Sequence, residues 1–559
     1  MTLKIRKETI KADFLIIGGG MAGLQAAVTA TALGVDTLVL EKADTRRSGC
    51  GANGNDHFAC YLPECHGDDF GRALREVNMT MDGGPWQDME MLKTWLSRSN
   101  EVVRLWDSLG INMRPTGDWN FEGHSLPGQQ RYHLKFDGSN QKPVLTETAK
   151  KQGARIINHI NVTEILVNEQ GRAIGALGVD VSKEEPEAVL FEAKAILIAA
   201  GMCSRIYPGT TPAYMFNTPA CPAVTGSGHA MGYRAGAKLV NMEVLQGHAG
   251  PKYFARGGKG TWIGVSSDIH GECVAPYNSK PSRETGDVVA DVWPTVYHDK
   301  LKDGTGPVFM NCTELSEEDM DYMLHTGFVT EGIDSITDYL EQHHISLKEF
   351  MVEFGSYKPS ISNRGLETDV HAATSVPGLY AAGNVQGNAS GNLTGAVVFG
   401  MIAAESAAEY IKGIEFEDVS QNPVVAEKVK LYSDIMERKE GAYWKEAAST
   451  LQNIMNDYAG QDVRSENILT TGLAYIRQLR EYAQRELAAG DSHELMRTLE
   501  VLDMIDIAEP IFLCALNRKE TRGPHKRSDY TYTNLLLNNK YQTIYIKDGD
   551  VVQEFRTRR

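Results

Sequence analysis

The stretch Asp13-Phe-Leu-Ile-Ile-Gly-Gly-Gly-Met-Ala-Gly-Leu24, with Thr37-Leu-Val-Leu-Glu-Lys42 after it, restricts what this chain can fold into more than any other. An apolar run leads into Gly18-x-Gly20-x-x-Gly23, an Ala-rich run closes at Gly34, and a second apolar run ends in Glu41. Strand, glycine turn, helix, strand and acid in that order are what a dinucleotide site needs. Gly18 permits the tight turn, Gly20 lets backbone amides approach a pyrophosphate, and Gly23 lets the helix pack close to the sheet. The helix opens at Met21 and Ala22, so its amino end faces the phosphates. Glu41, with Lys42 beside it, can accept hydrogen bonds from a ribose. An oxidoreductase is expected.

At 559 residues the chain is too long for one core, and several domains are expected. A net charge of −17 leaves no large cationic face to neutralise phosphates, which excludes a nucleic-acid role. No apolar run nears the ~20 residues that a bilayer crossing takes, so no direct membrane span is expected. Eight cysteines are scattered without a Cys-x-x-Cys pair and read as reduced thiols of a cytoplasmic protein. Cys60 and Cys65, the closest pair, are too few for an iron–sulfur cluster, and no metal site is expected.

Periodicity then divides the chain. Residues 1–246 carry the glycine turn, a helical pattern over 89–109, and two apolar runs that turn at Gln170-Gly171 as a hairpin. A buried strand, Ala195-Ile-Leu-Ile-Ala-Ala-Gly201, stops at Ala200-Gly201, as expected where backbone passes close to a cofactor. Residues 247–354 lack a parallel-sheet pattern and read as an inserted domain. Residues 355–414 return to strand and glycine at Gly378-Leu-Tyr-Ala-Ala-Gly383, followed by an Ala-rich helix. Residues 415–559 are helical, with stripes at Leu469, Leu473, Ile476, Leu479 and at Leu495, Leu499, Leu502, Ile505 that read as bundle core. Pro510 is expected to kink or end its helix, and the last fifty residues to form an extended arm.

Four blocks resemble the flavoprotein subunit of the fumarate reductase and succinate dehydrogenase superfamily. They are Gly18 to Lys42 with Arg47-Ser-Gly49; Thr225 to Glu243; Val376 to Asn384 with Val398-Phe-Gly400; and Arg518-Lys-Glu-Thr-Arg-Gly-Pro-His-Lys-Arg-Ser-Asp-Tyr530. The last is similar to the family's Glu-Ser-Arg-Gly-x-His-x-Arg-x-Asp-Tyr signature. Within the superfamily, Arg131 to Pro143 resembles in spacing a segment of the adenylylsulfate (APS) reductase α subunit. The resemblance implies an α/β fold: a Rossmann-like FAD-binding domain, an inserted α+β capping domain and a C-terminal helical domain. It implies FAD as the cofactor. It also implies an electron partner, a ferredoxin-like iron–sulfur subunit, in line with the lack of a second dinucleotide turn or a cluster motif.

Departures from the family pattern narrow the expectation. Gly49 stands where some members carry a flavin-linking histidine, so FAD is expected to be held non-covalently. Asp287-Val-Val-Ala-Asp291 ends in an acid where the family has its proton-donating arginine. Gln386-Gly-Asn-Ala-Ser-Gly391 has no basic residue, and no histidine of the APS reductase kind. Both losses argue against a C4-dicarboxylate. The expectation is a two-electron step on a small anionic substrate, resembling APS reductase; the alternative is an ene-reductase or dehydrogenase acting on something other than fumarate.

The residues expected around FAD, beyond those of the glycine turn, are Arg47, Ser48, Gly49, Asn53, Gly54, Ala200, Gly201, Gly383, Asn384, Asn392, Leu393 and Thr394. An anionic substrate needs basic partners, since burying a bare charge is costly. The candidates are His57, Arg131, His133, His248 and Arg256, each with a solvated or structural role as the alternative. Glu520, Arg522, His525, Arg527 and Asp529 read as an interdomain ion-pair network.

Overall fold

The computed structural model describes residues 3–52, 54–80, 88–122, 125, 128–209, 215, 218, 220–244, 248–252, 262–274, 281–283, 293, 295–357, 364–389 and 392–558. Strand β1 (Ile10–Ile17) holds the apolar run Phe14 to Ile17, buried throughout, as a central strand covered on both faces must be. It passes through the glycine turn into α1 (Met21–Ala32) and returns as β2 (Thr37–Glu41), parallel to β1. Helix α2 (Met89–Leu109) matches the expected span, begun by the Asp88 cap and ended by Gly110 in the left-handed region. Helix α3 (Gln141–Lys151) then leads to β3 (Arg155–Asn158), parallel to β2.

Next comes the hairpin, β4 (Ile160–Val167) and β5 (Ala173–Asp180), followed by β6 (Glu187–Ile198). The main sheet runs β3-β2-β1-β6-β5-β4. Parallel pairing at the β1 side gives way to antiparallel pairing beyond β6. Strand β6 starts eight residues before the expected Ala195, because its charged residues are paired rather than exposed. Lys11 meets Glu192 at 2.6 Å, and Asp13 meets Lys194 at 3.0 Å, both across from β1.

Helix α4 (Ser227–Arg234) follows, and β7 (Leu379–Ala381) adds in parallel to the carboxyl end of β6. Helix α5 (Asn392–Tyr410) lies against α1. Their approach is close: a Cβ at Gly400 would sit 2.3 Å from Ala22 O. Residues His248–Pro251, Val352–Tyr357, Val308–Asn311 and Val265–Ser267 form a separate antiparallel sheet. It has an apolar cluster of its own, which includes Trp262, Phe328 and Phe354.

Helices α6 (Glu466–Glu486) and α7 (Ser492–Asn517) pack together, with Leu469, Leu473, Ile476, Leu479, Leu495, Leu499 and Ile505 buried. Two expectations are refined here. Of the two outcomes expected at Pro510, a kink or an end, the end does not occur, since α7 continues to Asn517. The proline ring is buried, and burial of that face outweighs the missing amide bond. The last residues, expected as an extended arm, fold back on themselves instead. Lys540–Lys547 and Asp550–Thr557 make a hairpin that joins Leu239–Val240 and Gly365–Leu366 in a four-stranded sheet. Tyr541 and Ile544, both buried, give the hairpin an apolar anchor in that sheet.

Candidate active site

β1 ends at Gly18, whose φ of +103° suits glycine alone. A Cβ there would also meet Ala199 O at 2.6 Å. Gly20 is the N-cap of α1 and makes no side-chain capping bond, so the first amides of the helix are offered to a ligand. Glu41 braces the turn from the neighbouring strand. Its Oε2 accepts the Gly19 amide at 2.7 Å and its Oε1 the Ala43 amide at 2.7 Å. Each carboxylate oxygen keeps a lone pair for a further donor.

A cavity of about 570 Å³ opens on this turn, within the range of cofactor sites. Gly18, Gly20, Met21, Ala22, Glu41 and Lys42 line it. So do Arg47, Ser48, Gly49, Gly54, Ala200, Gly201, Gly383, Asn384, Asn392, Leu393 and Thr394. The side-chain oxygens of Ser48 and Thr394 are buried and meet no partner among the described residues. Buried hydroxyls in that state fit a polar ligand that supplies the missing bonds.

Other expected residues stand elsewhere. Gly23 is not in the wall: it packs α1 against the turn, where a Cβ would lie 2.0 Å from Gly18 O. Lys42 reaches the wall, but its Nζ donates to Glu500 at 2.6 Å and to the Ala223 carbonyl at 2.7 Å. Its charge therefore serves an internal pair. Arg131 does not line the cavity, and its carbonyl accepts a bond from His66 Nε2 at 3.0 Å. Asn53, Arg256 and Asp287 to Asp291 lie outside the described residues, as does the side chain of His248.

His57 and His133 do share the cavity, with ring centroids 5.6 Å apart. A two-stranded ladder brings them together: His57 pairs with Lys135, and Ala59 with His133. Behind His57 lies Asp56, buried, which accepts from His57 Nδ1 on one oxygen and from Lys135 Nζ at 2.5 Å on the other. Burial pushes the Asp56 carboxyl up, but the charges of His57 and Lys135 outweigh it and hold it well below the usual range. Burial likewise pulls Lys135 down, and Asp56 and Tyr322 more than restore it. Glu331, also in the wall, places its carboxylate within 4.8 Å of the ligand atoms of Asp56 and His57. Sequence reading missed Asp56, Lys135 and Glu331. Asp56 adjoins a singled-out histidine and was open to notice; Lys135 and Glu331 carry no local signal, since only pairing and packing place them.

The C-terminal signature is an ion-pair network, buried at Arg518, Glu520, His525 and Arg527 and reaching the surface at Asp529. Arg518 bonds Glu243 at 2.6 Å and Glu520 at 2.8 Å, all three wholly enclosed. Arg522 joins Glu520 at 2.9 Å, Arg527 joins Asp529 at 2.7 Å, and Arg464 reaches His525 at 2.6 Å.

With this geometry in hand, comparison with known proteins is decisive. Residues 13–396 match the FAD binding domain family, and residues 448–550 the fumarate reductase flavoprotein C-terminal family. The chain is a flavoprotein of the fumarate reductase and succinate dehydrogenase family. It is 25% identical to one chain of the fumarate reductase (CoM/CoB) of Methanothermobacter marburgensis, over 97% of this chain and 100% of that one. The fold is similar to adenylylsulfate reductase of Archaeoglobus fulgidus, with a TM-score of 0.82 and 22% identity over 100% and 98% of the two chains. It is also similar to the quinol fumarate reductase flavoprotein of E. coli, with a TM-score of 0.80 and 20% identity over 98% and 97%. This flavoprotein is thus an FAD-dependent oxidoreductase, and the hydroxyls of Ser48 and Thr394, without a partner among the described residues, suit that cofactor. None of its eight cysteines forms a disulfide, and no described helix is long and apolar enough to cross a membrane.

Proposed function

We propose that this flavoprotein carries out a two-electron oxidation or reduction of a small anionic substrate, and exchanges the electrons with a ferredoxin-like iron–sulfur partner. One observation carries the reading. The cavity that opens on the glycine turn is also walled by His57 and His133, with the Asp56–Lys135 pair behind them. FAD, held there without a covalent link, would accept the electron pair in its oxidised form or supply it in its reduced form. Gly20 presents its amide to the diphosphate, and Glu41 accepts from a ribose. Ser48, Gly49, Asn384 and Thr394, all in the cavity wall, would donate to the ring system. Asp56 fixes the His57 ring through Nδ1, and His57 is the group that would hold or move the substrate proton. His57 and His133 are the basic groups of the wall that would meet an anion, with Lys135 behind them paired to Asp56. The partner follows from the sequence, which has no second dinucleotide turn and no Cys-x-x-Cys.

Within this reading, a sulfo-nucleotide or related oxyanion comes first, on the resemblance of Arg131 to Pro143 to APS reductase. A second reading, an ene-reductase or dehydrogenase, is favoured by the fumarate reductase name of the Methanothermobacter relative. Anaerobic titration of the reduced flavoprotein with adenylylsulfate and with a panel of enoates, and of the oxidised form with sulfite plus AMP, separates them. Flavin reoxidation by adenylylsulfate, or its reduction by sulfite plus AMP, supports the first. Reoxidation by an enoate alone replaces it with the second, and no response to any of them sinks both.

A further inference from the structure

Lys142 is the second residue of α3 and is completely enclosed. A lysine is almost never buried to that degree without a partner. Its partner is a backbone oxygen: Nζ donates to the carbonyl of Gly19, in the middle of the glycine turn. The amide of the same residue is taken by Glu41 Oε2 at 2.7 Å. Gly19 is therefore gripped at both of its backbone groups, by an acid on β2 and a cation on α3. In a trans peptide the carbonyl and the following amide point in opposite directions. Holding Gly19 O toward Lys142 therefore turns the Gly20 amide the other way, and Gly20 lines the cavity.

The first turn of α3 makes a second connection of the same kind. Gln141 Nε2 donates to Gly51 O at 2.9 Å and to Asn55 Oδ1 at 2.7 Å, and both of these residues form another part of the wall. Two adjacent residues of one helix thus tie the glycine turn to the segment that carries Gly51 and Asn55. Burial pulls the Lys142 ammonium down to about 8, although Glu41 and Asp44 hold it up, so it stays largely charged at neutral pH.

We propose that Lys142 positions the cofactor: its buried ammonium fixes the Gly19 carbonyl so that the Gly20 amide faces the FAD diphosphate, and it adds a positive charge behind the turn. This rests on the reading that FAD occupies the cavity with its diphosphate at the amino end of α1. Lys142 acts through backbone and belongs to no part of the reaction itself.

The test uses full-length protein stripped of flavin. Dissociation constants are measured for FAD by fluorescence quenching, and for ADP and adenosine by competition against FAD. Lys142→Met is expected to weaken FAD and ADP by about tenfold or more, with adenosine changed little, because only the first two carry the diphosphate. A merely structural lysine would lower the melting temperature and leave the ratio of ADP to adenosine affinity at its wild-type value, which overturns the proposal. Should Lys142→Met not fold, Lys142→Gln, neutral but polar, is read by the same ratio. Wild-type protein that binds no FAD, or binds adenosine as well as ADP, overturns instead the reading on which the proposal rests.

Discussion

Lys42 and Glu500 meet at 2.6 Å beside the glycine turn, although 458 positions separate them in the chain. Glu500 lies on α7 and also holds Arg205, and Arg497 at 3.0 Å, so one enclosed carboxylate ties the helical region to the rim of the cofactor cavity. Burial alone would raise its pKa, yet Lys42, Arg205 and Arg497 bring it down to about 2.

The sign of the linkage follows from that depression. A carboxylate whose folded pKa lies below its unfolded value stabilises the fold above about pH 4.3 and loses that contribution as pH falls toward 2. The contribution is on the order of 3 kcal/mol. Glu500→Gln should lack this component and flatten the fall of melting temperature as pH drops from about 5 to about 2. At neutral pH it should cost about 3–5 kcal/mol, because three cations lose their counter-charge. Melting curves of equal slope for variant and wild type would refute the assignment.

The contact between α1 and α5 gives a second prediction. Gly400→Ala puts a methyl 2.3 Å from Ala22 O, a backbone atom that cannot swing aside. Overpacking of that kind costs about 1–3 kcal/mol and should loosen FAD, because the displaced helix carries the cavity wall. Gly34→Ala is the control. Its φ of +77° strains any side chain, but nothing lies within 4 Å, so it should lower stability by roughly 1 kcal/mol and leave flavin content unchanged. Flavin-to-protein absorbance ratios and thermal melts decide both.

At the substrate side, His57→Gln should retain FAD and its melting temperature while slowing substrate-dependent flavin turnover by about 10²–10⁴-fold, the usual worth of a positioned acid–base group. Asp56→Ala should do more. It frees the His57 ring and strips the buried Lys135 of its counter-charge, at a cost of about 3–5 kcal/mol in stability. Stopped-flow flavin kinetics with calorimetry on the same samples separates the effects; full turnover in His57→Gln would remove the residue from the mechanism.

A double-mutant cycle suits the C-terminal network. Arg518→Met leaves Glu243 and Glu520 enclosed without their shared cation and should destabilise strongly. Adding Glu243→Gln should recover part of the loss, with a coupling energy of about 1–3 kcal/mol by urea unfolding. Additive losses would show that the two side chains do not act as a pair.

Much of this molecule could be read locally. The turn from Gly18 to Gly23, the acid at Glu41, the helix over 89–109 and the hairpin at Gln170-Gly171 each depend on neighbours in sequence, through glycine backbone freedom, periodicity and turn chemistry. Long β6 was read short because its Glu192 and Lys194 look like surface charges until Lys11 and Asp13 come alongside. The last fifty residues looked like a polar arm because the few apolar residues of that hairpin show a face only against the sheet to which it belongs.

That a dinucleotide turn exists, which glycines build it, and that the chain belongs among the FAD-dependent oxidoreductases can all be read from neighbouring residues alone. It takes the folded chain to show that Lys42 answers to Glu500, that Lys142 grips Gly19 from behind, and that Asp56 joins His57 to Lys135. Most of those pairings bring together residues far apart in the chain. A charge in a sequence carries no record of which opposite charge it will meet; that is settled only when burial removes water as the alternative partner.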